Sequence, residues 1–165
     1  MKTLIIYESK HHGNTFKLVD AIEEEWGCDL CNIADKNVDK EHINFEEYDL
    51  IGIASGVAFG RLYRNIERFV ASEKFPSNKS VFLLYTCGNR NLRSTHYCDH
   101  IKEVLKNKNC KVEGSYGCAG YDTFGPLKLI GGISKGHPNQ DEIKAAKIVY
   151  EVIKKDMNGV KKNAL

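Results

Sequence analysis

No apolar run in this chain approaches the roughly 20 residues that span a bilayer. No leader layout stands at the start either, because Met1-Lys2-Thr3-Leu4 passes directly into an apolar stretch. The expectation is a cytoplasmic protein without a membrane span. Charge of one sign is also missing: 24 Lys and Arg face 22 Asp and Glu, a formal net charge of +2. So balanced a chain has no broad field with which to draw nucleic acid or another strongly charged partner. Internal repeats, linkers and low-complexity segments are absent, so the 165 residues read as one domain over 1–157 and a tail over 158–165. Cys28, Cys31, Cys87, Cys98, Cys110 and Cys118 have no secretory context, and a chain that is 42% hydrophobic can build a core without disulfides. They read as reduced thiols packed as small hydrophobes. Cys28-x-x-Cys31 has a metal-like spacing, but no second pair follows, and on a strand the two face opposite sides.

What is present is an alternation of strand and helix patterns. Residues 2–7 read as a buried strand. Leu18, Ile22 and Trp26 recur every four residues, which predicts a helix over 14–26 that Gly27 stops. A weaker strand follows over 29–33, then a polar loop or short poor helix over 35–47. The runs 49–54, 80–85 and 111–117 read as strands, and 62–72 and about 92–107 as helices. Residues 118–138 form a long glycine-rich connection. Asn139 caps a last helix with Asp141 and Glu142 in its first turn, and from Asn158 the chain reads as frayed. Strands apolar on both faces need helices on both sides. The fold class is therefore α/β: a three-layer α/β/α sandwich around a five-stranded parallel sheet of order 2-1-3-4-5.

In such a sheet ligands bind beyond the carboxyl ends of the strands, where the strand order reverses. Three loops meet there. The first, Ser9-Lys10-His11-His12-Gly13-Asn14-Thr15, joins a strand to a helix; it is either a phosphate cradle built on helix amides or an ordinary turn capped by Asn14 or Thr15. The second is Ser55-Gly56-Val57-Ala58-Phe59-Gly60, and the third, over 86–92, opens with Thr86-Cys87-Gly88-Asn89 and reaches Leu92. Together they can sandwich a flat ring and offer peptide groups to its rim. Phe59 is either part of that sandwich or a plain surface aromatic. Several chemistries are disfavoured. A receiver-type phosphoacceptor wants an acid after the third strand, where Ser55 stands. A cysteine-dependent phosphatase wants a thiol in the first loop, which has none. A dinucleotide fold wants three spaced glycines in residues 8–15, which hold only Gly13.

These residues resemble the flavodoxin family. Ser9 to Thr15 is similar to its phosphate loop, commonly Ser/Thr-x-Thr-Gly-Asn-Thr, with one extra residue before Gly13 and His12 in place of a threonine. Ser55 to Gly60 and Thr86 to Asn89 look like its second and third flavin loops. Ser115 to Pro126 and Gly131 to Asn139 are similar to one flavodoxin-like subgroup. The resemblance implies bound FMN and an electron carrier that works between a reductase and an acceptor protein. The alternative is an FMN-dependent NAD(P)H oxidoreductase acting on a quinone or other small molecule. It implies FMN phosphate on the amides of 11–15 with the Ser9 and Thr15 hydroxyls, and the ring between the second and third loops. Gly56 or Gly60 would ease a backbone change there. Tyr121 and Phe124 either cover the ring edge or belong to a packed surface loop. Cys87 reads as filler beside the ring, and no catalytic residue or metal ligand is expected. Family electron carriers are typically acidic, a habit that the +2 charge does not share.

Overall fold

The structure is a computed structural model and describes residues 1–40, 42–89 and 95–163. Its central strands are the continuous apolar runs: β1 (Thr3–Glu8), β3 (Leu50–Ala58) and β5 (Ser80–Cys87). The shorter β2 (Asp29–Asn32) and the more exposed β6 (Lys111–Ala119) form the two edges. The parallel order is β2-β1-β3-β5-β6, and the two-residue β4 (Arg61–Leu62) pairs antiparallel with the end of β3. The five parallel strands thus have the order expected from sequence.

Strand parity assigns the two cores. Ile5, Tyr7, Leu50, Ala54, Phe82 and Leu84 face α1 (Asn14–Trp26) and α4 (Gln140–Asn163), where Val19, Ile22, Tyr150 and Ile153 meet them. Leu4, Ile6, Ile51, Ile53, Val81 and Leu83 face the other way, onto α2 (Arg64–Ala71) and α3 (Asp99–Asn107). Cys28 lies in the first of these cores and Cys31 in the second, so the pair cannot share a ligand.

Helix ends follow local chemistry. Gly27 ends α1 at φ 65° and its amide donates to the Glu23 carbonyl at 2.7 Å. At α4 the Glu142 amide donates to Asn139 Oδ1 at 3.0 Å while Glu142 Oε2 accepts from the Asn139 amide at 2.8 Å, the reciprocal capping box. This helix continues to Asn163, past the point where a frayed tail was expected. Among the described residues between β2 and β3 the chain makes only a 3₁₀ turn, Phe45–Glu47, where a loop or short poor helix was expected. The helix expected from about 92 begins at Asp99, behind a 3₁₀ turn over 95–98; residues 92–94, and with them Leu92, lie outside the described residues.

The largest departures are at the carboxyl edge. Ser55 to Ala58 continue β3 instead of forming a loop. Ser55 and Gly56 stay in the ladder with Tyr85 and Thr86, and Val57 and Ala58 then pair with Leu62 and Arg61. The turn itself is only Phe59-Gly60, with φ of 53° and 77°, the left-handed pair that a two-residue hairpin requires. Thr86 and Cys87 likewise belong to β5, and Cys118 and Ala119 to β6. Within 118–138 the chain is structured by a 3₁₀ turn at Gly125–Ile130 and an antiparallel bridge between Asp122 and Ile133. Among the described residues no helix is long and apolar enough to cross a membrane.

Candidate functional site

The carboxyl ends of β1, β3, β5 and β6 converge on one edge, and the first loop folds over it. His12 (φ 53°) and Gly13 (φ 66°) are both left-handed, and Gly13 is the residue that caps α1. Neither Asn14 nor Thr15 caps the helix; both are its first residues and both are buried. Ser9 takes over the capping role from a distance, its Oγ accepting the Phe16 amide at 3.2 Å. The Asn14 amide donates to the His11 carbonyl at 3.1 Å. Among the described residues, the amides of His11, His12, Gly13 and Thr15 have no protein acceptor. They crowd at the positive end of a thirteen-residue helix, an arrangement suited to an anion.

The loop is bolted to its neighbours. Thr15 Oγ1 and Thr86 Oγ1 share a buried hydrogen bond of 3.0 Å. Asn14 Nδ2 donates to the Tyr121 carbonyl at 2.8 Å, an approach possible because Gly120 presents no side chain there. Asn14 Oδ1 is buried without a donor. His12 turns away from the edge, stacking on Tyr121 with ring centroids 4.2 Å apart and meeting Thr123 Oγ1 at 2.9 Å. His11 points the other way, edge-on to Phe124 at 6.1 Å and Tyr63 at 6.5 Å.

Beneath the loop lies Glu8, fully buried at the end of β1. Its Oε1 accepts from Asn65 Nδ2 at 2.9 Å and from Lys10 Nζ at 3.1 Å, and its Oε2 has no partner. Lys10 is therefore held by a carboxylate, its ammonium also 4.9 Å from the Tyr63 ring centroid. Tyr63 packs under the hairpin, its amide bonded to Ser55 Oγ at 2.9 Å and to the Gly56 carbonyl at 3.1 Å. Burial first, and then the negative charges of Glu8 and Asp122, push the Tyr63 phenol up to about 12.

The sequence candidates divide accordingly. Ser9, Lys10, His11, Asn14, Thr15, Thr86, Cys87, Gly88 and Tyr121 come together around one small recess. Lys10 and His11 also border a larger cavity of about 920 Å³, which Val57, Ala58, Phe59 and Phe124 enclose from the hairpin and the long connection. Phe59 is 91% exposed and meets Phe124 edge-to-face at 5.8 Å. Ser55 and Gly56 reach neither space. Ser55 is buried in hydrogen bonds to the hairpin, and Gly56 has the Tyr63 ring pressed against it. Gly60 sits exposed at the turn, His12 and Gly13 of the first loop border neither space, and Asn89 closes the end of β5 by accepting the Cys87 thiol at 3.2 Å. Burial raises the Cys87 thiol above its ordinary value. Among the described residues no cluster of His, Cys, Asp or Glu is placed to hold a metal ion.

Sequence reading missed Tyr63, Asp122 and Gly120 in the recess, and Arg61, Arg64, Arg68 and His100 in the cavity. The signal for Tyr63 was available: a left-handed turn at Phe59-Gly60 folds the following residues back under the strand. Asp122 and Gly120 carry no comparable signal, because only the β6 register brings them to the edge.

Comparison with known proteins accords with this architecture. A sequence profile described as a flavodoxin domain matches residues 4–124. An uncharacterized protein of Methanocaldococcus jannaschii is 40% identical over 147 residues, which cover 89% of this chain and 94% of the relative. A flavodoxin from the domain Archaea superposes with a TM-score of 0.65 at 16% identity, covering 96% of this chain and 99% of that one. A flavoprotein from Lactobacillus acidophilus, whose structure was determined in complex with FMN, gives a TM-score of 0.53 at 24% identity over 70% of this chain and 92% of that one. With its sheet order and the span of the profile match, this chain belongs to the flavodoxin domain family.

Proposed function

We propose that the protein binds FMN at this edge and carries electrons between redox partner proteins. The observation that supports the reading best is the uncommitted polar surface of the first loop. The amides of His11, His12, Gly13 and Thr15 lack protein acceptors beside a buried, unpartnered Asn14 Oδ1. A phosphate monoester answers the first and a sugar-like hydroxyl the second, so the residues present fit the cofactor. The Ser9 and Thr15 hydroxyls flank the same recess.

FMN, when bound, supplies the electron-transfer chemistry. The chain's own residues bind and shield. The loop amides hold the phosphate without a lysine ammonium, since Glu8 retains Lys10. Val57, Phe59 and Phe124 offer apolar surface to a flat ring and exclude water from one side of it. The Phe59-Gly60 turn is the part of the hairpin able to change its peptide orientation, because Gly56 is fixed in the sheet by Tyr63. No side-chain acid or base is needed.

The experiment is a titration of purified, flavin-stripped protein with FMN, followed by flavin fluorescence. Saturable one-to-one binding with a dissociation constant well below about 1 µM is expected, in the range of about 8 kcal/mol or more. Weak, unsaturable binding would overturn the proposal. A second reading, an FMN-dependent oxidoreductase for a small molecule, is favoured by the size of the cavity, at the upper end of the roughly 300–1,000 Å³ that small-molecule sites occupy. Steady NADH or NADPH oxidation by the FMN-loaded protein alone would select it.

A further inference from the structure

The cavity has a second end that the flavin reading does not use. Leaving the hairpin, it runs along α2, where Arg64, Arg68 and Ala71 form one stripe at helical spacing, with His100 of α3 also in its wall. Charge here is uncompensated. Of the basic groups in the wall, Arg61 is held by Glu67 at 2.9 Å and Lys10 by Glu8 at 3.1 Å. The other acid in the wall, Asp122, accepts the Phe124 amide at 2.8 Å through Oδ1. Among the described residues, Arg64 and Arg68 meet no carboxylate and no hydrogen-bond acceptor, although neighbouring Arg61 and Asn65 both do. Guanidinium groups one turn apart make a fork for a single carboxylate, sulfonate or phosphate. Ala71, one turn further on, leaves room beside them. The rest of the wall, Val57, Leu62, Phe59 and Phe124, is apolar and aromatic.

We propose that Arg64 and Arg68 form a second ligand subsite that takes the anionic group of a small planar aromatic molecule whose body lies in the apolar part of the cavity. Val57, Phe59 and Phe124 are also the surfaces offered to the flavin ring, so this ligand shares the cavity with FMN, rests on that reading, and is tested with and without FMN. A small molecule is favoured over an acidic protein surface because the two arginines line the same concavity as the aromatic walls.

The test is calorimetric titration of the full chain, with and without FMN, using naphthalene-2-sulfonate and its neutral analogue 2-naphthol. One-to-one binding of the sulfonate is expected, about tenfold or more tighter than the naphthol and weakened by salt. The doubly substituted Arg64→Gln, Arg68→Gln chain should lose that preference while keeping its far-UV circular dichroism and its FMN affinity. Arg64→Lys with Arg68→Lys should restore part of the preference. Equal binding of both probes, or sulfonate binding unchanged in the Gln variant, would overturn the subsite. So would binding of poly-glutamate but not of the sulfonate, which would assign the arginines to an acidic macromolecule. Loss of FMN binding with the sulfonate preference intact would count against the FMN reading alone.

Discussion

The two ends of α1 provide a matched pair of perturbations. Gly13 before it and Gly27 after it have φ of 66° and 65°, and a methyl group at either position would meet nothing within 4 Å. Gly13→Ala and Gly27→Ala should therefore carry the same backbone penalty, about 1 kcal/mol for an L-residue held in the left-handed region. For a chain of this length that lowers Tm by about 2–4 °C. Ligand binding should separate them. At Gly13 the methyl enters the loop whose amides face the proposed phosphate, and displacing one charge-assisted hydrogen bond removes about 1.5–3 kcal/mol. FMN should then bind about ten- to a hundredfold more weakly to Gly13→Ala. At Gly27, on the opposite edge of the sheet, affinity should not change. Thermal unfolding of the flavin-free proteins and FMN fluorescence titration of the same samples read the two quantities separately. Equal losses of Tm with equal, wild-type FMN affinities would refute the placement of the phosphate. Unequal losses of Tm would refute the backbone argument.

Other outcomes follow from single contacts. Thr86→Val leaves the buried Thr15 hydroxyl without its 3.0 Å partner and should lower the urea-derived stability by about 1–3 kcal/mol, whereas the double change Thr15→Val, Thr86→Val should recover part of the loss. A fully additive cycle would show the hydroxyls to be uncoupled. Glu8→Gln releases Lys10 and removes a buried negative charge beside the anion loop, so FMN binding should tighten; unchanged affinity at low salt would place Lys10 out of reach of the phosphate. Alkaline pH should destabilise the fold. Burial is the leading cause that holds Tyr63 and Tyr85 at about 12, above the ordinary value of 10.0, so the folded state keeps protons that the unfolded state releases. That contribution is intact below pH 10 and is lost as pH rises towards 12, roughly 2 kcal/mol per tyrosine. Urea midpoints measured across this window should fall, less steeply in Tyr63→Phe; a flat profile contradicts the assignment.

Much of the frame was legible because it rests on periodicity. Leu18, Ile22 and Trp26 place α1, and the continuous runs place the three central strands. The opposite burial of Cys28 and Cys31 follows from strand parity alone. Glycine misled where it was read as punctuation. At Gly56 the missing side chain makes room for the Tyr63 ring, so the strand runs on and the turn comes three residues later. The extents of β5 and β6 were short for a related reason: Thr86 and Cys118 are held by ladder pairing that polar or glycine-rich composition does not advertise. At the site, five of the seven residues of the first loop line the recess, while His12 and Gly13 do not, and the division of labour among them was not legible. Nothing in Ser9 says that it caps α1 from seven residues away, or that Lys10 is committed to Glu8. Arg64 and Arg68, both exposed on α2, were not singled out, because only the folded hairpin and α3 bring a cavity alongside them.

The six thiols give the molecule a built-in gauge of its own opening. All are buried and in no disulfide; they lie on or beside three of the five parallel strands, β2, β5 and β6, with Cys98 at the start of α3. Burial raises Cys98 to about 11 and moves Cys118 further up, so little thiolate exists at neutral pH while the fold is closed. A thiol reagent must wait for a local or global opening, and the order in which the sulfurs react then reports which layer parts first. Edge sulfurs such as Cys28 beside β2 should be modified before Cys118, which lies between α1, α4 and β6. Mass spectrometry of partly labelled protein thus turns an ordinary packing feature into a residue-by-residue record of how the sandwich comes apart.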